Sequence, residues 1–284
     1  MQVKIFFDKP TFTFTYVIID SDTQCCAVID SVQDYDPFSG RTNTKSADDV
    51  ISFIQENKLK LEWILETHIH ADHLTASSYI KEKLGGQTAI GNNILKVLDH
   101  WVPIFNTESD TPIDASGFDE LLQEGDKIKI GNLEVKIIET PGHTPACISY
   151  LIEDSIFVGD SIFMPHLGTA RVDFPGGSAE ILYNSIQKIL SLPDSTKIYV
   201  CHDYPEKGEA ESCLSTVKEQ RDKNIMINHN ISKNTYTEKR NARDKTLPVP
   251  KLILPSIQMN LRSGKHPLAE DNDIRYIKIP LNKV

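Results

Sequence analysis

The stretch Thr67-His68-Ile69-His70-Ala71-Asp72-His73, THIHADH, follows directly on an apolar run, LEWILE (61–66), that reads as a buried strand. In an extended segment, side chains two apart point to the same side. His68 and His70 can therefore share one metal ion. Asp72 and His73 follow where the chain should turn into a helix starting near Leu74, so they can face a second, neighbouring position. Four potential ligands packed beside an apolar strand would carry a heavy desolvation cost without a metal or some other compensation. That sets this string apart from an isolated core histidine.

Upstream of it, TFTYVIID (13–20) alternates, and QCCAVID (24–30) follows the turn residues Ser21 and Asp22, which suggests an opening antiparallel sheet. Ser46, Asp48, Asp49 and the spacing Val50, Ile51, Ile54 predict an amphipathic helix N-capped at Ser46. Downstream, Leu74 to Leu84 carries a helical pattern closed by Gly85 and Gly86, and QTAIG (87–91) returns to strand. Residues 127–139 alternate on both sides of Gly131 and Asn132, a hairpin pattern that delivers the chain to TPGHT (140–144). CISYLI and SIFVGD flank Glu153 and Asp154 as another hairpin. Ser178 to Leu190 fits a capped helix, and KIYVCH (197–202) is a last short strand.

Three more ligand types thus stand at the ends of three predicted strands: His143, Asp160 and His202. Enzymes of α/β architecture assemble sites by such convergence of strand-end loops. A lone strand-end histidine is usually a satisfied polar residue, and His100, His166, His229 and His266 read that way because no such company surrounds them. From about residue 215 the pattern becomes a polar helix, a charged stretch around Glu238 to Lys245, and a tail, LPVPKLILPSIQ (247–258), apolar enough to pack on the core and held extended by its prolines. The tail could make a homodimer contact or cover the cleft. The organisation expected is a catalytic domain over residues 1–215 and a helical and extended C-terminal tail over 216–284.

The length, 284 residues, suits one large core plus an extension, and 39% hydrophobic with 25% charged residues is an ordinary globular balance. A formal charge of −10 repels phosphate backbones, so a small molecule is a better partner than nucleic acid. No apolar run approaches the roughly 18 residues that span a bilayer, and Asp8, Lys9 and Pro10 interrupt any signal-peptide core. The expectation is a cytoplasmic protein without membrane contact. Five cysteines (Cys25, Cys26, Cys147, Cys201, Cys213), with no CxxC spacing, argue against a disulfide framework or a cysteine zinc site. They read as small buried hydrophobes, with Cys201 set apart because it precedes His202.

HxHxDH followed by a downstream His, Asp and His resembles the metallo-β-lactamase superfamily over about residues 10–205. The resemblance implies an α/β fold, a four-layer αβ/βα sandwich with metals along one edge of its two sheets, here with a C-terminal extension. His70 stands where the diiron flavoprotein branch would have a glutamate. Within the superfamily the chain is similar to the glutathione-linked branch that holds glyoxalase II (hydroxyacylglutathione hydrolase) and the persulfide dioxygenases. GTARVDFPGG (168–177), HDY (202–204) and NARDKTLPVPKLILPSIQMNLR (241–262) resemble the dioxygenase pattern, and the basic glutathione-binding signature of the hydrolase helices is missing.

The dioxygenase resemblance implies one Fe(II) per chain on His68, His143 and Asp160, with His70, Asp72, His73 and His202 orienting ligands and water. The substrate implied is a glutathione-linked persulfide, oxidised with O₂ and water to sulfite and glutathione. Asp72, His73 and Tyr204 are then the catalytic candidates, and Arg171 and Tyr204 the substrate-binding ones, with an Arg171–Asp173 ion pair as the alternative for the arginine. The hydrolase resemblance implies two Zn(II): His68, His70 and His143 on one, Asp72, His73 and His202 on the other, and Asp160 bridging. Its reaction is cleavage of an S-acylglutathione thioester.

Overall fold

A computed structural model describes residues 1–205 and 208–283. The chain opens with β1 (Gln2–Asp8), β2 (Thr13–Ile19) and β3 (Cys25–Ile29), then a small hairpin of β4 (Asp34–Asp36) and β5 (Arg41–Asn43). It continues through α1 (Lys45–Glu56), β6 (Lys60–Leu65), α2 (Ser77–Leu84), β7 (Gln87–Gly91), α3 (Ile94–Phe105) and β8 (Glu120–Leu122). The second half has β9 (Lys127–Ile130), β10 (Leu133–Glu139), β11 (Ile148–Ile152), β12 (Ser155–Phe157), α4 (Ala179–Leu190), β13 (Lys197–Tyr199) and β14 (Leu214–Thr216). Helices α5 (Val217–Lys223), α6 (Lys233–Asp244) and α7 (Ile253–Asn260) follow.

Two six-stranded sheets form, ordered β1-β2-β3-β6-β7-β8 and β14-β13-β12-β11-β10-β9. Each combines antiparallel hairpins with parallel neighbours joined through a helix, such as β3 with β6 across α1 and β12 with β13 across α4. The period-2 alternation of β2 and β3 sets the layers. Phe14, Tyr16, Ile18, Ala27 and Ile29 point into the central core with Val135, Ile137, Tyr150 and Ile152 of the second sheet. Val17, Ile19, Cys26 and Val28 point the other way, onto Val50, Ile51 and Ile54 of α1 and Ile80 of α2. Burying those three α1 side chains contributes on the order of 5–9 kcal/mol before the entropy of ordering is subtracted. On the far face of the second sheet, Leu182, Ile186 and Ile189 of α4 join the central core. The expected four-layer αβ/βα sandwich is what the chain adopts.

The structure departs from the sequence reading at four places. Ser46 does not cap α1: the helix starts at Lys45, and the Ser46 amide donates to Asp34 Oδ2 (2.9 Å), so the β4–β5 hairpin supplies the cap in trans. Helix α2 starts at Ser77 instead of Leu74: Leu74 is held in an antiparallel bridge with Gln33, and the amides of Thr75 and Ala76 go to Asn260 Oδ1 and the Ser31 carbonyl. The charged stretch around Glu238 to Lys245 is mostly α6, in which Arg240 and Asp244 pair one turn apart and are both buried. The tail is helical over Ile253–Asn260, where extended chain was expected. Pro255 is tolerated because it sits in the first turn, where its missing N–H has no intrahelical acceptor to lose. Among the described residues no helix is long and apolar enough to cross a membrane.

Candidate metal centre

All seven ligand candidates come together, each carried by the chain as it leaves a strand: His68, His70, Asp72 and His73 after β6, His143 after β10, Asp160 after β12 and His202 after β13. Alternation continues past the end of β6. His68 and His70 turn to one side with ring centroids 4.1 Å apart, while Ile69 and Ala71 turn to the other and pack on α3 and α7.

The donors fall into two adjoining sets. Ligand atoms of His68, His143 and Asp160 lie within 4.8 Å of one another, as do those of His70, Asp72, His73 and His202. Asp160 faces both: Oδ2 is 4.0 Å from His68 Nε2 and 3.7 Å from His143 Nε2, and Oδ1 is 3.3 Å from His202 Nε2. Asp72 Oδ2 approaches the same His202 nitrogen at 3.1 Å. Six of the seven are buried, and only Asp72 keeps a partly exposed side chain.

Burial without a partner is the decisive property here. His70 Nδ1, His73 Nε2, Asp160 Oδ1 and His202 Nε2 are buried polar atoms with no aligned hydrogen bond, even where a carboxylate lies close. Orphans of this kind are rare in folded proteins, and four of them spread over these adjoining donor sets fit metal binding that would use their lone pairs. Burial holds the imidazoles of His68, His73 and His143 below the usual histidine range, so they are neutral and able to ligate. Asp72 is held well below the usual carboxylate range: burial opposes this, but His202 and His73 outweigh it. His70 is the exception. Burial lowers its pKa, but Asp30 and Glu66 override that and raise it, with Nε2 at 3.1 Å from Asp30 Oδ1 and 3.4 Å from Glu66 Oε2.

Outer partners fix the ring orientations. His143 Nδ1 donates to the Arg171 carbonyl at 2.7 Å, leaving Nε2 to face Asp160. Thr13 Oγ1 lies 3.4 Å from His73 Nδ1 and 3.3 Å from His202 Nδ1. Asp30 also accepts from the Thr67 amide (2.8 Å) and hydroxyl (2.9 Å). Cys201, fully buried, points its thiol at Asp30 Oδ2 (3.7 Å), and burial pushes its pKa up.

The remaining candidates are placed as follows. The Arg171 guanidinium is engaged by Asp173 at 2.6 and 2.7 Å and by the Pro248 carbonyl at 2.8 Å, which is the ion-pair alternative. Tyr204 is about half exposed, its ring parallel to His202 at 6.2 Å and near Phe12 at 5.5 Å. His166 comes within 3.8 Å of Asp203 Oδ1, and His100, His229 and His266 stay outside the centre. Sequence reasoning did not single out Thr13, Asp30, Glu66 or Asn260. For Glu66 the signal was available, a carboxylate immediately before THIHADH.

A family model for the metallo-β-lactamase superfamily matches residues 8–202. The chain belongs to this superfamily. Its members are typically metal-dependent enzymes, and this chain carries the His/Asp cluster such a cofactor requires. Among relatives in the superfamily, Glyoxylase B2 of Dictyostelium discoideum is 49% identical, over 99% of this chain and 97% of its own. Persulfide dioxygenase ETHE1 of Bos taurus, a mitochondrial protein, is 28% identical over 91% and 87%. The crystal structure of ETHE1 from Myxococcus xanthus superposes with a TM-score of 0.75 at 28% identity, covering 93% of this chain and all of that one.

Proposed function

We propose that the protein is a persulfide dioxygenase that takes glutathione persulfide, O₂ and water to sulfite and glutathione at a single Fe(II). The observation that carries this reading is the separate set formed by His68, His143 and Asp160, a two-histidine, one-carboxylate face apart from His70. When bound there, iron would supply open positions for dioxygen and the substrate sulfur.

The chain's own residues would do the rest. Asp160 and the two imidazoles present their donors, and the Arg171 carbonyl holds the His143 tautomer that leaves Nε2 free. Arg171 would act through His143, since its guanidinium is anchored to Asp173 and Pro248. Tyr204 and Phe12 form an exposed aromatic rim suited to a thiol's carbon chain, and Asp72, the one partly exposed ligand candidate, stands beside His202 as an ionised carboxylate able to accept a hydrogen bond from water. A small, mostly apolar cavity of about 20 Å³, lined by Ile69, Ala71, Trp101 and Phe174, touches His143 and suits an uncharged co-substrate such as O₂.

A second reading rests on a specific observation. The orphaned His73 Nε2 and His202 Nε2 form a second donor set, which suits a two-zinc thioester hydrolase, and the relative at 49% identity is named a glyoxylase. Protein reconstituted anaerobically with Fe(II) and given glutathione persulfide in aerated buffer should consume O₂ in step with sulfite formation. Fast hydrolysis of S-lactoylglutathione by zinc-loaded protein, with no O₂ uptake by the iron form, would install the second reading.

A further inference from the structure

We propose that Asn260, on the C-terminal helix, is a positioning residue for the metal centre. Its side-chain amide ties down the backbone of the THIHADH loop from 185 to 190 residues away along the chain. Nδ2 donates to the His70 carbonyl (2.9 Å) and to the His73 carbonyl (2.8 Å), while Oδ1 accepts from the Thr75 amide (2.8 Å). The residue is buried, so water cannot substitute for these bonds.

The geometry is particular to a carboxamide. One planar group offers two donors and an acceptor, and all three are used on one irregular loop. Between β6 and α2 that loop forms no helix or strand beyond the single bridge of Leu74 to Gln33, and the Asn260 amide restrains the peptide planes that aim His70 and His73. Helix α7 is a firm base for it: Ile253, Ile257 and Leu261 pack with Trp101 and Leu98 of α3, and with Ile69 and Ala71 of the loop itself. The chain beyond Asn260 extends the same seam. The Ser263 carbonyl accepts from the Ser78 amide (3.0 Å) and hydroxyl (2.6 Å), and Gly264, at φ +81°, passes so close that a Cβ would lie 2.5 Å from the Thr75 carbonyl oxygen. The tail thus belongs to the site's frame.

This inference rests on His70 and His73 serving the metal centre, and the test separates the two. Asn260→Asp is nearly isosteric and keeps the acceptor toward Thr75, but it loses both donors and sets a carboxylate oxygen against two carbonyls. Cobalt(II) is loaded into parent, Asn260→Asp, Asn260→Ala, Asn260→Gln and Ser78→Ala proteins. The visible spectrum and the cobalt affinity against a chelator are then read alongside circular dichroism. Asn260→Asp should keep its fold, show an altered cobalt spectrum and bind about 10- to 100-fold more weakly. Asn260→Gln, which retains the amide, should recover part of the affinity lost in Asn260→Ala. Ser78→Ala, on the same seam but touching neither histidine, should match the parent spectrum. An Asn260→Asp spectrum and affinity equal to the parent's, or a Ser78→Ala shift as large as that of Asn260→Asp, would overturn the positioning role. A parent that takes up no cobalt would overturn the metal-centre reading and this role with it.

Discussion

Gly142 sits immediately before His143, and its replacement by alanine tests how tightly the His143 loop is seated. Its φ is +135°, which disfavours any side chain. A Cβ there would lie 2.4 Å from both the amide nitrogen and the Cα of Leu182. Those are backbone atoms near the start of α4, whose position is fixed by Ser178 donating from its amide to the Gly142 carbonyl (2.8 Å) and by the Leu182 and Ile186 core contacts. The collision therefore cannot be relieved by a rotamer change. Overpacking costs about 1–3 kcal/mol, and the unfavourable backbone region adds about 1–3 kcal/mol. With a melting shift of roughly 2–4 °C per kcal/mol for a large domain, Gly142→Ala should melt roughly 5–20 °C lower. Gly125 separates the two costs, having φ +87° but no heavy atom within 4 Å of a built Cβ. Gly125→Ala should lose only the backbone part. Differential scanning calorimetry of both variants decides, and equal, small shifts would refute the collision.

His143→Ala and Asp160→Ala should each abolish metal uptake at the shared face, measured by elemental analysis, whereas His73→Ala should keep most of the iron under the mononuclear reading and lose a second zinc under the other. Asp119 is held below the usual carboxylate range: burial opposes this, but Lys81, at 2.6 Å, and the Thr88 amide and hydroxyl outweigh it. Its stabilisation is therefore complete above the unfolded carboxylate pKa and is lost as pH falls through the lower folded value. Asp119→Asn should melt lower near neutral pH, and its gap from the parent should narrow toward acid. All five thiols are buried, so a chromogenic disulfide reagent should label the native protein slowly and reach five equivalents only after unfolding.

What could be read ahead of the structure was what has a local period or a local composition. The alternation of TFTYVIID survives as the two faces of β2, and Gly131-Asn132 turns between β9 and β10 as expected. Ser178 caps α4 by accepting from the Ile181 amide. HxHxDH is legible because donor types crowd within one turn of chain, whereas Asp30, a single acid at a strand end, looks like any other turn residue. Asn260 had no signature at all, since its partners are backbone atoms 185 or more positions away. The boundary errors have the same origin. Ser46 and Leu74 looked like helix starts on local pattern, but tertiary folding brought in Asp34 as acceptor for the Ser46 amide and Gln33 as the bridge partner of Leu74.

Thr13 at the start of β2 bridges to His202, and the Phe14 amide donates to the Cys201 carbonyl at 2.8 Å, so the first half of the chain is joined to one of its last ligands. This imposes an order on biosynthesis. A ribosome that has released only residues 1–200 has exposed six of the seven donors but neither the seventh nor the Asn260 amide, and N-terminal segments fold first as they emerge. The intact centre therefore cannot form until the chain has been made through His202 and Asn260. Loading of the complete centre waits on both, and a chain stopped before Asn260 should carry every histidine of the centre yet hold an ion more weakly than the intact protein.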